Sequence, residues 1–310
     1  MQIITGDALE ILRQLPDCCC STCVTSPPYY GLRNYGEAGQ IGLEESPDDY
    51  IERLVEVFRE VRRVLRDDGT LWLNIGDSYA TRSRANPPRN TRNKSGHTVK
   101  KTPNGYKYKD LMGIPWLLAF ALRADGWYLR ADIIWQKPNA MPESAKDRPT
   151  RAHEYIFLLS KSERYYYDAE AVKEPAVGFD EPNGRRRGNS RTFRGGGAYT
   201  RNQSAENSAS VERQSHGLVP NETGKRNRRS VWSVATRPYK GAHFATYPEE
   251  LVRPCILAGS RPGDIVLDPF AGSGTTGAVA VQEGRDFIGI EINPTYSKMS
   301  EQRIRIAAEK

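Results

Sequence analysis

The stretch "IVLDPFAGSGTTGAVAV", residues 265–281, joins an apolar strand that ends at Asp268 to a glycine-rich turn and then to a helix. Three of its glycines satisfy the GxGxxG spacing of a nucleotide-binding turn: Gly272, Gly274 and Gly277. A glycine has no β-carbon, so a ligand can lie directly against its backbone. Glu291 ends the next predicted strand, where its carboxylate can accept two hydrogen bonds from a ribose diol. This stretch predicts a site for a ligand that carries ribose, with a dinucleotide-binding unit and a purely structural turn as the alternatives.

On both sides of this stretch, apolar runs typical of strands alternate with amphipathic runs typical of helices. The alternation predicts an α/β fold with a mostly parallel sheet, and 310 residues suffice for one large domain with insertions. The predicted strands are QIITGD, STCVTS, GTLWLNIGD, YLRADIIWQK, HEYIFLLSK, DIVLDPF and DFIGIEI. The predicted helices are Leu9–Leu15, Asp48–Arg66, Leu111–Ala124, Pro248–Ala258, one after the glycine turn and a last one through Ile306.

The composition, with 38% hydrophobic and 27% charged residues, is ordinary for a globular protein. No apolar run approaches the roughly 18 residues of a membrane span. The start "MQIITGDALEIL" lacks the basic and apolar regions of a secretory signal, so we expect a cytoplasmic protein that contacts no membrane. The formal net charge of +7 suits an anionic partner.

Four of the five cysteines lie in one short run, Cys18, Cys19, Cys20 and Cys23, and the last two form a CxxC pair. No second pair completes a zinc site, because Cys255 and the histidines are scattered. The sequence Val-Thr-Ser-Pro-Pro follows the CxxC pair, so the pair cannot open a redox-active helix. We predict buried small residues on a strand, with no metal and no disulfide.

The stretch "TSPPYYG", Thr25–Gly31, places two prolines and two tyrosines where a strand ends. Pro27 and Pro28 fix φ and cannot donate to the sheet, so they force the chain into a stiff, extended turn. The turn carries the Ser26 hydroxyl, backbone carbonyls and the aromatic ring of Tyr29. Taken alone, the tetrapeptide Ser26–Tyr29 favours a proline-bounded surface turn. Whether it has a catalytic role must be decided from the rest of the sequence.

Two long polar stretches interrupt the alternation, residues 81–109 and 175–237, and most of their charges are positive. The second contains "GRRRG", "SRTFRGGGAYTRN" and "GKRNRRS", together with Phe193, Tyr199 and Trp232. Long insertions in a compact domain are usually functional or disordered. Basic residues interleaved with aromatic ones are typical of a surface that grips a phosphate backbone. A solvated loop is the alternative for each stretch.

Together, "DPFAGSGTT" and "TSPPYYG" resemble the cofactor loop and the catalytic loop of the DNA amino-methyltransferases, which methylate cytosine N4 or adenine N6. The catalytic loop comes first here, as in the circularly permuted beta group of that family. The similarity covers residues 2–135 and 243–308, and the joint occurrence of both loops is more specific than either one. It implies a Rossmann-like methyltransferase fold, with a twisted sheet covered by helices on both faces, and the cofactor S-adenosyl-L-methionine.

The resemblance implies a set of cofactor contacts. Glu291 matches the acid that binds the ribose, and Asp7 in "TGDALEIL" resembles the residue near the adenine amine. The loop around the methionine part of the cofactor is matched by Asp268, Phe270, Ala271, Gly272, Gly274 and Thr275. The segment "HFATYPEEL" is similar to the one that lines the methionine end, through Phe244, Thr246 and Pro248.

The catalytic residues that the resemblance implies are Ser26, Pro27, Pro28 and Tyr29. An exocyclic amine is a poor nucleophile because its lone pair is delocalised into the base, whereas the sulfonium methyl is already activated. If the Ser26 hydroxyl and the Pro27 carbonyl accept hydrogen bonds from the amine, its nitrogen becomes tetrahedral and attacks in line. Tyr29 would stack on the base, which must first leave the duplex. In the family, serine at this position favours cytosine N4, with adenine N6 as the alternative.

Two later segments and one strand end complete the predicted site. "ADIIWQKPN" and "RPTRAHEYIFLLSKS" resemble strands beside the base pocket, where Trp135, Lys137 and Asn139 would face the substrate. A tryptophan in a strand is more often part of the core. Asp77 in "NIGDSY" ends a strand, where substrates gather in open α/β sheets, with a turn cap as the alternative.

The resemblance also divides the chain into a catalytic half (residues 1–165, with the basic loop 81–109), a target-recognition insertion (166–237) and a cofactor-binding half (238–310). The predicted DNA-binding residues are Arg185, Arg186, Arg187, Arg191, Arg194, Arg226, Arg228 and Arg229. The expected partner is double-stranded DNA, with a cognate restriction endonuclease as a further candidate and a monomer or homodimer as the active form. The alternatives are an S-adenosylmethionine-dependent enzyme acting on RNA or a small amine, and a non-enzymatic nucleic-acid binder.

Overall fold

A computed structural model of the chain describes residues 1–32, 34, 36–37, 39–80, 102, 105–176, 224–237 and 247–309. Its strands are β1 (Gln2–Thr5), β2 (Cys20–Thr25), β3 (Leu65–Ile75), β4 (Tyr128–Gln136), β5 (His153–Ser160), β6 (Glu174–Pro175), β7 (Lys225–Arg226), β8 (Val231–Ser233), β9 (Ile265–Asp268) and β10 (Asp286–Glu291). Its helices are α1 (Ala8–Gln14), α2 (Pro47–Val64), α3 (Ile114–Ala124), α4 (Glu249–Gly259), α5 (Thr275–Gln282) and α6 (Pro294–Ala308). None of the helices in these ranges is long and apolar enough to cross a membrane.

The chain divides into two compact units, one formed by Met1–Ala171 with Arg229–Lys310 and the other by Val172–Arg228. The first unit contains the large sheet and the described helices. In the second unit, β6 and β7 form a short antiparallel pair. Residues 166–171 and 229–237, which the sequence analysis assigned to the insertion, lie in the first unit.

Eight of the described strands form one sheet in the order β1-β10-β9-β2-β3-β5-β4-β8. Neighbouring strands run parallel except at β5, which is antiparallel to both β3 and β4. The predicted α/β fold with a mostly parallel sheet is confirmed. Each of the seven predicted strands is present, whereas β6, β7 and β8 were not predicted.

Helices cover the two faces of the sheet in two groups. On one face α2 lies between α1 and α3 and packs on β3, and on the other α5 lies between α4 and α6 and packs on β9 and β10. Successive side chains of β2 point to opposite faces of the sheet, so they face one helix layer and the other in turn. Cys23 joins the core formed with α2, whereas a β-carbon on Gly259 of α4 would lie 2.6 Å from the Thr22 hydroxyl. Only glycine allows α4 to approach the sheet so closely at this point.

Helix α2 shows how the sequence determines one of these layers. The Ser46 side chain accepts a hydrogen bond from the Asp49 backbone amide, and Pro47 occupies the first turn, where no amide hydrogen is needed. The buried stripe of the helix consists of Tyr50, Leu54, Val57, Phe58, Val61 and Val64. The helix was predicted to reach Arg66, but it ends at Val64 because Leu65 already pairs with Cys20 in the sheet.

The prediction of buried small cysteines on a strand is confirmed for Cys20 and Cys23, which are fully buried in β2. Burial raises the pKa of both thiols, so they stay protonated and serve as small apolar residues. The prediction is wrong for Cys18, which is exposed in the preceding turn with a φ of 54°.

The strand order places the two motif loops side by side. From β2 the chain continues through α2 to β3, and from β9 it continues through α5 to β10, in the opposite direction along the sheet. Open α/β sheets bind ligands at such a switch point, at the carboxyl ends of the strands. The loop after β2 begins at Ser26 and the loop after β9 begins at Pro269, so both open onto the same crevice.

Candidate active site

A cavity of about 290 Å³ lies at the carboxyl ends of β2 and β9. Many of the predicted site residues line it: Asp7, Ser26, Pro27, Pro28, Tyr29, Phe270, Ala271, Gly272, Thr275 and Glu291. They come from opposite ends of the chain and meet because β2 and β9 are neighbours in the sheet. The structure thus brings the predicted catalytic loop and the predicted cofactor loop into one cavity.

At one end of the cavity, Glu291 holds the glycine turn. Its carboxylate accepts hydrogen bonds from the backbone amides of Gly272 (2.8 Å) and Asn293 (2.9 Å). A carboxylate has about four acceptor positions, so Glu291 can still accept bonds from a diol. Burial raises the pKa of Glu291 above its ordinary value, while the two amide bonds lower it.

The backbone at Gly272 has the left-handed conformation that favours glycine. Its φ is +52°, and a β-carbon there would meet only the Phe270 carbonyl oxygen, at 3.8 Å. The space beside Gly272 is therefore open, and the residue forms part of the cavity wall. A ligand can lie against this stretch of backbone.

Asp7 lies at the same end and begins α1. Its Oδ1 accepts hydrogen bonds from the Leu9 (2.9 Å) and Glu10 (3.1 Å) amides, so the side chain caps the helix. Asp7 and its neighbours Gly6 and Ala8 line the cavity. The cap holds the carboxylate at the cavity wall.

Several residues that the resemblance assigned to the cofactor do not line the cavity. Asp268 is 1% exposed, and its carboxylate accepts bonds from Thr25 (2.6 Å), Thr276 (2.6 Å), Tyr247 (3.1 Å) and the Phe270 amide (3.0 Å). These bonds stabilise both loops, and burial raises the pKa of the carboxyl group. Asp268 therefore supports the loops from beneath.

Gly274 and Pro248 also have structural positions. Gly274 begins α5 with a φ of +77°, and a β-carbon there would collide with Ser300 of α6 at 2.4 Å from its hydroxyl oxygen. Pro248 is buried at the start of α4. Phe244 and Thr246 lie outside the described residues.

Tyr247 lies between Thr246 and Pro248 and lines the cavity, although it was not predicted as a site residue. Its hydroxyl bonds to Asp268 and to Thr276, so the ring is fixed. The segment "HFATYPEEL" was the correct signal, but the resemblance pointed to other members of it. Residues Gln40, Ile41 and Tyr296 line the cavity as well, and no motif marked them.

At the other end of the cavity, the catalytic loop contacts side chains from β3 and β5. The Ser26 hydroxyl donates to Asn74 Oδ1 at 3.2 Å. The Tyr29 hydroxyl donates to Glu154 Oε2 at 2.7 Å and also lies 3.2 Å from Asn74 Oδ1. Lys137 pairs with Glu154. Burial and the nearby Glu154 carboxylate raise the pKa of Tyr29 well above its ordinary value, so its hydroxyl remains a donor.

The prolines of the loop are held in place by the core. The Tyr50 hydroxyl of α2 donates to the Pro28 carbonyl at 2.8 Å, and the Tyr50 ring contacts that of Tyr30. No hydrogen bond among the described residues engages the Pro27 carbonyl. The Ser26 oxygen donates its own proton to Asn74, so its lone pairs stay available to a ligand. The cavity therefore presents two acceptors, one from Ser26 and one from Pro27.

Of the three residues predicted to face the substrate, Trp135 and Lys137 line the cavity, whereas Asn139 does not. Trp135 is 3% exposed and donates from its indole nitrogen to the Val234 carbonyl, and Lys137 Nζ lies 4.2 Å from its ring centroid. Asn139 instead pairs with Thr236. Asp77 accepts bonds from the amides that begin α3, so it is a cap, as the alternative interpretation predicted.

This arrangement agrees with the comparison with known proteins. Residues 20–302 match the family model N6_N4_Mtase, described as a DNA methylase. The chain belongs to this DNA methylase family. Its resemblance to the amino-methyltransferases, inferred from two loops, thus extends over most of the chain.

Individual proteins show the same similarity. The Type II methyltransferase M.Cfr9I of Citrobacter freundii is 50% identical over 305 residues, which cover 98% of this chain and 87% of that protein. The PvuII DNA methyltransferase, described as cytosine-N4-specific, aligns with a TM-score of 0.62 at 20% identity over 97% of this chain and 85% of that one. TTHA0409 of Thermus thermophilus, solved with S-adenosyl-L-methionine, has a TM-score of 0.60 at 22% identity, covering 99% and 94%. These solved structures share the fold.

The arginines that we predicted to bind DNA in this DNA methylase are only partly described. Arg185, Arg186, Arg187, Arg191 and Arg194 lie outside the described residues. Arg226 pairs with Glu174 at 2.9 Å across the β6–β7 pair of the second unit. Arg228 is half-buried, and Arg229 is exposed with its carbonyl accepting a bond from the Trp232 indole. Their role in DNA binding stays a prediction.

Proposed function

We propose that this DNA methylase transfers the methyl group of S-adenosyl-L-methionine to the N4 amine of a cytosine that has left the stack of a specific double-stranded DNA site. One observation carries the proposal: the acceptors of Ser26 and Pro27 open onto the same cavity as the turn at Gly272 and the carboxylate of Glu291. A methyltransferase needs an amine-binding site and a cofactor site in this relation.

The residues at the glycine turn fit the proposed cofactor. Gly272 provides open backbone, and Glu291 keeps acceptor positions for the ribose hydroxyls. Asp7 adds a second carboxylate at the cavity wall, suited to an amine or hydroxyl donor. When bound, the cofactor supplies an electrophilic methyl group on a sulfonium.

The catalytic loop acts on the amine of the base. Ser26 Oγ and the Pro27 carbonyl accept its two N–H groups, which holds the nitrogen lone pair out of conjugation and directs it along the attack line. The prolines and the Tyr50 bond to Pro28 keep the acceptors fixed. Such positioning can lower the reaction barrier by several kcal/mol, and for well-oriented reactants the reduction begins at about 7 kcal/mol. Tyr29 stacks on the base. The methylated amine must then lose a proton to solvent or to a neighbouring acceptor.

The choice of cytosine rests on Ser26 at the head of the loop, where the resemblance favours cytosine for serine. Adenine N6 is the second candidate, because an adenine amine can donate the same two hydrogen bonds to Ser26 and Pro27. An enzyme acting on RNA or a small amine is less consistent with the family, which is that of DNA methylases.

The test is methyl transfer from labelled S-adenosyl-L-methionine to duplex DNA, followed by mass analysis of the nucleosides. N4-methylcytosine is expected, and Ser26→Ala should lower its yield at least 100-fold, as loss of a group positioned for the transition state does. Methyladenine as the sole product would contradict the cytosine assignment. Transfer to RNA or small amines without transfer to duplex DNA would contradict the DNA substrate.

The insertion at residues 166–237 is proposed to recognise the target sequence, since the two loops are occupied by the cofactor and the chemistry. A cognate restriction endonuclease is a proposed partner that shares the recognition site, and the proposed compartment is the cytoplasm. Sequencing the methylated sites of DNA from cells that express the protein would define the site. That DNA should then resist cleavage by an endonuclease of the same specificity.

A further inference from the structure

The catalytic end of the cavity contains an ion pair that the mechanism above does not use. The side chains of Lys137 and Glu154 are 19% and 17% exposed, and both residues line the cavity. Removing two charges from water is costly unless further hydrogen bonds stabilise them. Glu154 has such bonds, because its Oε2 accepts from the Tyr29 hydroxyl at 2.7 Å and lies 3.4 Å from Asn74 Nδ2.

The orientation of the Asn74 amide is fixed from behind. Its Nδ2 donates to the Tyr155 carbonyl at 3.1 Å, so its Oδ1 faces the catalytic loop. Two hydroxyls lie within reach of this oxygen, those of Ser26 and Tyr29, each at 3.2 Å. The proton of Tyr29 can be directed either to Asn74 or to Glu154.

The carboxylate of Glu154 decides between these two arrangements. A bond to an ionised acceptor is shorter and about twice as strong as a neutral one, and the Tyr29–Glu154 bond is the shorter of the two. Tyr29 therefore donates to Glu154, and Asn74 Oδ1 receives its main bond from Ser26. The Ser26 hydroxyl also interacts with that of Tyr29, and a Ser26 proton directed to either Asn74 or Tyr29 leaves only lone pairs facing the cavity.

We propose that Glu154, paired with Lys137, is a positioning residue that holds the Ser26 hydroxyl in the orientation of a pure acceptor. It acts through Tyr29 and Asn74 and does not itself contact the amine. This inference rests on the proposed function, because the acceptor role of Ser26 matters only if an amine is the methyl acceptor. It extends that function to a residue on β5 that no loop motif includes.

Glu154→Gln is the direct test, measured as the single-turnover rate of methyl transfer to a duplex with the target base. The Gln amide can donate to Tyr29, which turns the Tyr29 proton toward Asn74 and loosens the Ser26 bond. We expect the rate to fall by about 100-fold, as for other misplaced catalytic groups, with cofactor and duplex dissociation constants unchanged within about threefold. Glu60→Gln is the matched control, because Glu60 pairs with Arg63 at 21% exposure and lies in α2, away from the cavity.

Double variants separate positioning from a general structural role. In a Ser26→Ala background, Glu154→Gln should lower the rate by less than about threefold, because the hydroxyl that Glu154 orients is absent. Tyr29→Phe removes the competing proton and leaves the Ser26–Asn74 bond in place, so it should lower the rate only about fivefold. Tyr29→Phe should also restore most of the rate lost in Glu154→Gln.

The outcomes distinguish the inference from the function on which it rests. If Glu154→Gln lowers the single-turnover rate by the same factor in the wild-type and Ser26→Ala backgrounds, the positioning role is overturned. It is also overturned if the Glu154→Gln variant reacts as fast as the Glu60→Gln variant. If the Glu154→Gln variant does not fold, a fall of about 100-fold in the rate of the Tyr29→Phe variant overturns the inference by itself. A wild-type protein that methylates no duplex amine would overturn the proposed function, and the inference with it.

Discussion

The Thr25 hydroxyl donates a hydrogen bond of 2.6 Å to the Asp268 carboxylate, although the two residues are 243 positions apart in the chain. Thr25 is the last residue of β2 and Asp268 is the last residue of β9, and these strands pair in parallel. The catalytic loop begins directly after Thr25, and the cofactor loop begins directly after Asp268. This buried bond therefore joins the two loops at their origins.

We expect Thr25→Val to lower the free energy of unfolding by about 1–3 kcal/mol, because it removes a donor from a buried carboxylate. Urea denaturation at neutral pH measures the loss. Thr25→Ser is the matched control, since it keeps the hydroxyl and should be distinctly more stable than the valine variant. Equal stability of the two variants would show that the bond contributes nothing.

Gly272→Val should abolish the binding of S-adenosyl-L-methionine, because its side chain would occupy the cavity wall where backbone is now open. Gly263 provides the control, since it has a φ of +81° with nothing within 4 Å of a β-carbon and does not line the cavity. Both variants should lose about 1–2 kcal/mol of stability from the left-handed backbone, but only the first should lose affinity. If calorimetry shows that Gly272→Val binds S-adenosyl-L-methionine with unchanged affinity, the loop has a structural role and does not bind the cofactor.

The affinity for the cofactor should depend on pH through Glu291. Burial raises the pKa of this group above 4.5 in the free protein, whereas ribose hydroxyls donate to the ionised form. A protonated Glu291 must lose its proton on binding, so affinity should weaken as pH falls through the raised pKa and level off above it.

Glu291→Gln should bind more weakly at neutral pH and show no such dependence in this range. The comparison uses dissociation constants of the two proteins between about pH 4.5 and 7.5, within the range where both remain folded. A wild-type profile parallel to that of the variant would mean that Glu291 does not titrate on binding.

The sequence predicted the long elements because each carries its own apolar pattern, from the stripe of α2 to the alternating strands. The short strands β6, β7 and β8 have two or three residues, too few for any period. The antiparallel direction of β5 leaves no local signal either, because a buried strand is apolar in both directions.

The candidate site was predictable to the extent that it lies in the two loops. A motif does not distinguish residues that touch the ligand from those that hold the loop, so cofactor contacts were predicted for Asp268 and Gly274, although neither residue lines the cavity. Asn74 and Glu154 lie within the quoted segments "NIGDSY" and "RPTRAHEYIFLLSKS", but nothing in either segment marked them, and they meet Ser26 only because β2, β3 and β5 are successive strands of the sheet. Strand order is a property of the whole chain.

In the target-recognition insertion, arginine suits the binding of DNA because its planar guanidinium binds phosphate and also forms hydrogen bonds with guanine in the major groove. Most protein–DNA contacts go to the backbone, so single alanine variants should form two classes. Most should weaken binding on every sequence and flatten its salt dependence, and a few should cost about 1–3 kcal/mol on the cognate site alone. Filter or fluorescence binding at several salt concentrations, on cognate and scrambled duplexes, measures both effects. The variants are made one at a time at Arg185, Arg186, Arg187, Arg191, Arg194, Arg226, Arg228 and Arg229.

Arg226 should behave differently from the others in this series. Its side chain is 14% exposed and pairs with Glu174, so Arg226→Ala should also destabilise the β6–β7 pair, and Glu174→Gln should reproduce that part of the loss. The basic loop 81–109 should act as a backbone clamp throughout, with no variant that affects the cognate site selectively. Deleting residues 183–223 spares β7 and the Arg229–Trp232 bond of the first unit. Site-specific methylation that survives this deletion would place target recognition elsewhere in the chain.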